Sequence, residues 1–166
     1  TDALTLVQKI RRELNTTYIQ CLHPALVPIN QLNVSEVLRL KPAANQECYV
    51  ATNAVSIAQA FIAKNISHPY ALEERGIPVG FVMFYADKKN RKYTLSRFMV
   101  DASYQGKGFG RVAMELVIKE LKKYGASKVE LSVVPDNTTA VHVYESAGFK
   151  FTGKTIFDVA FMELEL

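Results

Sequence analysis

A chain of 166 residues with 49% hydrophobic and 22% charged side chains has the make-up of one globular domain with a sizeable core. It holds no apolar run near the roughly 18–20 residues that cross a bilayer and no signal-peptide pattern, so no membrane partner is expected and the expected address is cytoplasmic. The net charge of +4 is uneven: residues 88–128 carry eleven basic against three acidic side chains, a local +8 that leaves −4 elsewhere.

Residues 4–14 put Leu4, Val7, Ile10 and Leu14 on one stripe, which predicts a short opening helix. A first strand is predicted over 25–29. NVSEVLRLKP, with Asn33 or Ser35 as N-cap and Pro42 as its stop, predicts a short helix. NAVSIAQAFIAKN predicts another, with Ile57, Ala60, Phe61 and Lys64 spaced at three and four. A hairpin follows: a strand over 69–74, a turn at Arg75-Gly76, and a return through the apolar run 79–86. Strands are predicted at 93–100 and 128–134. Between them lies a strongly amphipathic helix, apolar at 109, 112, 113, 116, 117 and 121 and closed by Gly125 as the C′ residue. NTTAVHVYESAGF gives a shorter helix ending at Gly148, and the tail reads as two strands broken at Gly153. This order predicts a mixed α/β domain.

Little else in the chain suggests a special site. Cys21 and Cys48 lie far apart, without C-x-x-C pairing, and read as reduced thiols. His23, His68 and His142 have no metal-ligand spacing, so no metal is expected. The basic segment has neither a basic arm nor aromatics interleaved with its charges, so nucleic acid is not an expected partner.

One stretch does stand out. SYQGKGFGR, residues 103–111, packs three glycines into five positions between a predicted strand and a predicted helix. Glycine lets backbone press against a ligand without Cβ interference, and a helix N-terminus offers unpaired N–H groups to an anion. With Lys107 and Arg111 flanking it, the loop reads as a phosphate or pyrophosphate cradle. A Walker A loop needs Ser or Thr where Gly108 stands, and a dinucleotide fingerprint needs its glycines directly after the strand, where DASYQ intervenes.

The pattern that fits is [QR]-x-x-G-x-[GA], formed by Gln105, Gly108 and Gly110, which resembles the pyrophosphate loop of the GNAT superfamily of N-acetyltransferases. VVPDNTTAVHVYESAGF resembles that family's later segment, and the resemblance covers roughly residues 25–166. The runs QECYVATNAVSIAQA, PVGFVM and RFMVD are similar to those of bacterial diamine and polyamine acetyltransferases, whereas residues 1–24 look like a helical extension and the tail with Lys154 departs from that branch. The resemblance implies an α/β (α+β) fold with a mixed, mostly antiparallel twisted sheet of six to seven strands flanked by helices. It also implies acetyl-CoA as cosubstrate and a small-molecule amine as acceptor. The family often dimerises, and the N-terminal stretch or the apolar last strand offers a homodimer surface.

The resemblance also implies roles. Phe98, Met99 and Val100 lie along the pantetheine arm, with the backbone binding and the side chains packing. Gln105, Gly106, Lys107, Gly108, Phe109, Gly110 and Arg111 wrap the pyrophosphate. Asn137 contacts the cofactor or caps the helix that follows it. Tyr144, four residues before Gly148-Phe149, is the general acid: a phenol with a reference pKa of about 10 is protonated at neutral pH and can donate to a thiolate. Glu73, Tyr85 and Asp101 are candidates for handling the amine and its proton. Holding a polyamine calls for several carboxylates, yet Glu36, Glu47, Glu73 and Asp158 form no cluster in sequence. A peptide or antibiotic amine therefore stays open as acceptor, as does a module that only binds CoA.

Overall fold

A computed structural model describes residues 22–166. The helix expected at 4–14 and Cys21 lie outside them, as does most of the extension expected over 1–24. Chain order within the described residues is β1 (Pro24–Pro28), α1 (Val34–Val37), a 3-10 segment (Ala44–Tyr49), α2 (Asn53–Ile62), β2 (Ser67–Glu74), β3 (Ile77–Asp87) and β4 (Lys92–Val100). It continues with a 3-10 turn (Ala102–Tyr104), α3 (Phe109–Lys123), β5 (Lys128–Val133), α4 (Thr138–Ser146), β6 (Lys150–Ile156) and β7 (Val159–Glu165). One seven-stranded sheet runs β1-β2-β3-β4-β5-β7-β6, antiparallel except where β4 meets β5.

The β2–β3 hairpin closes at Arg75-Gly76, both at positive φ (52° and 79°), the two-residue turn whose twist matches that of its strands. β3 is buried on both faces. Val82 and Phe84 join Met114, Val117 and Leu121 of α3 in the main core, while Phe81 and Met83 pack with Val37 of α1 and Ala60 of α2 on the opposite face. The sheet is thus the middle of three layers, and β3 reads as a continuous apolar run for that reason.

Two expectations need correction, at α1 and in the final hairpin. On α2, which forms where the spacing predicts, Asn53, Ser56 and Ala60 face the protein, while Phe61 is 76% exposed and Lys64 is exposed. The helix is turned this way because Asn53 Nδ2 donates to Val37 O at 2.8 Å, and small residues let it lie close to the sheet. α1 has one turn, and Asn33 does not cap it. Its Oδ1 accepts from Asn30 N–H, and its Nδ2 donates to Pro28 O and Glu73 Oε1. The final hairpin turns at Phe157-Asp158, not at Gly153. Gly153 (φ +83°) sits instead where the β6–β7 register slips between Phe151 and Thr155, a bulge that keeps β6 going.

Candidate active site

The site begins with a gap in the sheet. β4 and β5 pair only at Thr94↔Glu130 and Leu95↔Leu131. Next along β4, the register with β3 jumps from Phe84↔Leu95 to Met83↔Arg97, so Ser96 is an extra residue. Such a bulge bends its strand and increases its twist. From there β4 leaves β5, and its edge along Phe98–Val100 has no strand partner. Two cavities open at the gap. An outer cleft of about 490 Å³ is lined by Phe98, Met99 and Val100, by the glycine loop, and by α4. An inner cavity of about 170 Å³ is lined by Ser96, Arg97, Ser132 and Tyr144, among others. Tyr49, Val50, Phe98, Asn137 and Ala140 line both, so the two spaces meet in the gap.

The glycine loop builds one wall of the outer cleft. Gly106 and Gly108 have φ +72° and +91°, a region side chains disfavour, and Gly108 is the N-cap of α3. No side chain caps this helix. Val112 N–H makes its first bond, to Gly108 O at 3.3 Å, which leaves the N–H groups of Gly108, Phe109, Gly110 and Arg111 for an outside partner. Gly110 faces α4: a Cβ added there would lie 3.4 Å from Val143 Cγ2. The loop is braced from below. Gln105 Nε2 donates to Val100 O (2.9 Å) and to Gln46 Oε1 (2.9 Å), while Gln46 Nε2 donates back to Gln105 Oε1 (3.3 Å). Lys107 folds onto the loop, donating to Ser103 O at 2.9 Å, and Arg111 pairs with exposed Glu115 at 2.8 Å. An uncapped helix start with two bare glycines at its mouth fits a diphosphate, whose charge the N–H groups and helix dipole stabilise.

Tyr144 sits one turn from the end of α4. There Phe149 N–H donates to Tyr144 O and Gly148 N–H to Glu145 O, a Schellman closure with Gly148 at φ +98°. This lock fixes the residue's backbone, and Phe98 and Phe149 flank its ring at 6.3 and 6.0 Å. The hydroxyl makes no hydrogen bond to a described residue, and burial pushes its pKa well above the ordinary phenol range. A buried hydroxyl that is held protonated at the wall of the inner cavity can give a proton away.

The Acetyltransferase (GNAT) family profile matches residues 35–149. The chain belongs to the GNAT family. It is 31% identical over 133 residues to the spermine/spermidine N(1)-acetyltransferase of Bacillus subtilis, covering 76% of this chain and 87% of that protein. By fold it resembles a Vibrio cholerae spermidine N-acetyltransferase solved with CoA and spermine (TM-score 0.70, 19% identity, 86% and 95% of the two chains). It also resembles an acetyltransferase from Thermus thermophilus (TM-score 0.71, 19% identity, 87% and 98%). It is therefore an acetyltransferase whose acetyl donor is acetyl-CoA.

Within this GNAT fold the expected residues divide. Phe98, Met99, Val100, Gln105, Gly106, Gly108, Phe109, Gly110, Arg111 and Asn137 all line the outer cleft. The buried side chains among them do other work: Met99 packs beside Val37 and Asn53, and Phe109 and Val100 pack with Leu72 and Val79. Lys107 lies on the loop but is folded away, outside the lining. Asn137 does cap α4, its Oδ1 accepting from Ala140 N–H at 3.3 Å, and its amide Nδ2 is not engaged by that bond.

Glu73, Tyr85 and Asp101 are not brought to either cavity. Glu73 accepts from Asn33, and Tyr85 packs beside the cluster around Phe81 and Met83. Asp101 accepts from the N–H groups of Ser103 and Lys41 and so ties two loops together. Gln46, Tyr49, Val50, Arg97 and His142 line the site without having been assigned roles. All but His142 lie within QECYVA and RFMVD, runs whose signal was family resemblance and not the chemistry of single residues. Among the described residues no group of His, Cys, Asp and Glu is placed to hold a metal, and no helix is long and apolar enough to cross a membrane.

Proposed function

We propose that this protein moves the acetyl group of acetyl-CoA directly to the primary amine of a small molecule, with Tyr144 as general acid. The observation that carries this reading is the gap between β4 and β5, which has a bare helix N-terminus at one mouth and a buried tyrosine hydroxyl at the other. Acetyl-CoA, when bound, supplies an activated thioester. The N–H groups of Gly108, Phe109, Gly110 and Arg111 hold the diphosphate, and Arg111 adds counter-charge. The unpartnered edge of β4 offers N–H and C=O groups to an amide-bearing arm, and one N–H there faces the carbonyl oxygen where charge develops. The acceptor nitrogen attacks as a neutral amine. Its bond to the carbonyl carbon forms, the carbon–sulfur bond breaks, and Tyr144 protonates the departing thiolate. The proton lost by the nitrogen passes to solvent water; among the described residues neither Asp nor Glu lines either cavity to take it.

The test is release of free CoA thiol across an amine panel. The panel is headed by spermidine and spermine, for which relatives are named, and extended to putrescine, peptides, aminoglycosides and amino acids. Saturable, amine-dependent release is expected. Acetyl-CoA that fails to bind by calorimetry would overturn the donor reading, and binding with amine-independent hydrolysis alone would overturn amine transfer.

A further inference from the structure

The inner cavity is basic where a polyamine site would be acidic. Among the described residues no Asp or Glu lines it or the outer cleft, and the charged side chain in its wall is Arg97. The bulge at Ser96 places Arg97 where β4 leaves β5, on the face that also carries Met83 and α2. Arg97 forms no ion pair among the described residues. Its Nη1 donates to Ser96 O at 2.8 Å and Ser96 Oγ at 3.2 Å, and its Nη2 to Gln59 Oε1 at 3.1 Å. That engages three of the five guanidinium donors. Its Nε is buried and has no hydrogen-bond partner among the described residues. A cation with a buried, unpaired donor is costly to keep unless something else completes it.

We infer that Arg97 receives a carboxylate of the acceptor, so that the acceptor is a small amine that is also an acid, of the amino-acid class. This rests on the acetyl-transfer reading above and names its substrate. The guanidinium fork matches a carboxylate with two parallel N–H···O bonds, whereas it repels the multiple positive charges of a polyamine. About 170 Å³ gives room for a molecule the size of one amino acid. Ser132, at the end of β5, and Tyr49 add polar side chains to the same wall.

Matched amines that differ by one carboxylate decide the point: lysine against cadaverine, ornithine against putrescine, phenylalanine against phenethylamine. Thiol release should give the acid a kcat/KM at least tenfold above its decarboxylated partner in one or more pairs. Arg97→Gln should abolish that ratio and Arg97→Lys should restore part of it, with the KM for acetyl-CoA unchanged in both. Where turnover is slow, calorimetry of Nα-acetyl-lysine against N-acetylcadaverine on the CoA complex reads the same preference. Should Arg97→Gln fail to fold, Arg97→Lys and the wild-type pairs carry the test. Equal kcat/KM within every pair, equal binding of the two products, or a preference that survives in Arg97→Gln overturns the inference. Spermidine used better than every acid would overturn it too, while leaving acetyl transfer standing. Loss of acetyl-CoA binding in the wild type would instead strike the donor reading.

Discussion

The outer cleft and the inner cavity share one gap in the sheet but are made of different material. The cleft presents mainly backbone: four N–H groups at an uncapped helix start, two glycines at positive φ, and the bare edge of β4, all contributed by residues 98–111. The cavity presents side chains from four separate segments, around residues 49–51, 96–98, 132–144 and 159. A donor that never changes can be held by groups every residue possesses, arranged by a short local motif. An acceptor is distinguished by its own functional groups, and matching them takes side chains that only the tertiary fold assembles. The two helices beside the gap make the same contrast, since α3 starts on a bare glycine while α4 starts under the side chain of Asn137.

The division can be broken most sharply at Tyr144. Tyr144→Phe should lower kcat by about 10²–10⁴-fold, the range for a lost general acid, and leave acetyl-CoA affinity within about twofold. Rapid-quench or steady-state rates beside calorimetry check it; an unchanged kcat removes Tyr144 from the chemistry.

Gly80 tests whether backbone placement alone holds the donor. A Cβ there would sit 2.6 Å from Met99 O, so β4 must shift next to the edge offered to the donor. Gly80→Ala should weaken acetyl-CoA binding by roughly tenfold and cost about 1–3 kcal/mol of stability, the range for overpacking. Preserved affinity in a destabilised variant would show that the β4 edge contributes little to donor binding.

Gln46→Ala removes both bonds of the Gln46–Gln105 amide pair, which steadies the glycine loop from a distant segment. A net loss of about 1 kcal/mol predicts a rise of roughly fivefold in the KM for acetyl-CoA with kcat unchanged.

The smallest effect belongs to Asn137. If its amide only caps α4, Asn137→Ala costs about 1 kcal/mol and lowers Tm by about 2–4 °C, with acetyl-CoA affinity following only weakly. A loss of affinity above tenfold at that Tm would assign the free Nδ2 to the cofactor, and Asn137→Asp, which caps but lacks the amide donors, separates the two roles.

How much could be read in advance follows the same division. The long helix was legible because its six apolar positions share one face and Gly125 ends it in a Schellman turn, with Ala126 N–H donating to Leu121 O. The Arg75-Gly76 turn was legible from Gly76, which adopts positive φ freely, set between two strand-like runs. The break assigned to Gly153 failed because a lone glycine marks a bulge as readily as a turn, and the turn fell on Phe157, at φ +51° and 98% exposed. The buried face of α2 was not legible because buried Asn53 and Ser56 count as polar in any hydrophobic pattern, although the bond from Asn53 to Val37 is what turns the helix.

The sequence by itself determined the glycine loop and the helix that starts on it. Glycine spacing, helix start and the residues around them act within a few positions of one another, and neighbours along the chain are neighbours in space whatever the rest of the fold does. It could not place the inner cavity. The bulge at Ser96 exists only because β4 pairs with β3 out of step, and only that bulge and the parting of the strands bring Arg97, Tyr49, Ser132 and Tyr144 around one cavity. Nor could it show that Asp101 and Glu73 are tied to distant segments, since Lys41 and Asn33, which donate to them, lie 60 and 40 residues away. Contacts at that separation depend on how strands pair and where helices dock, which packing decides and local pattern does not.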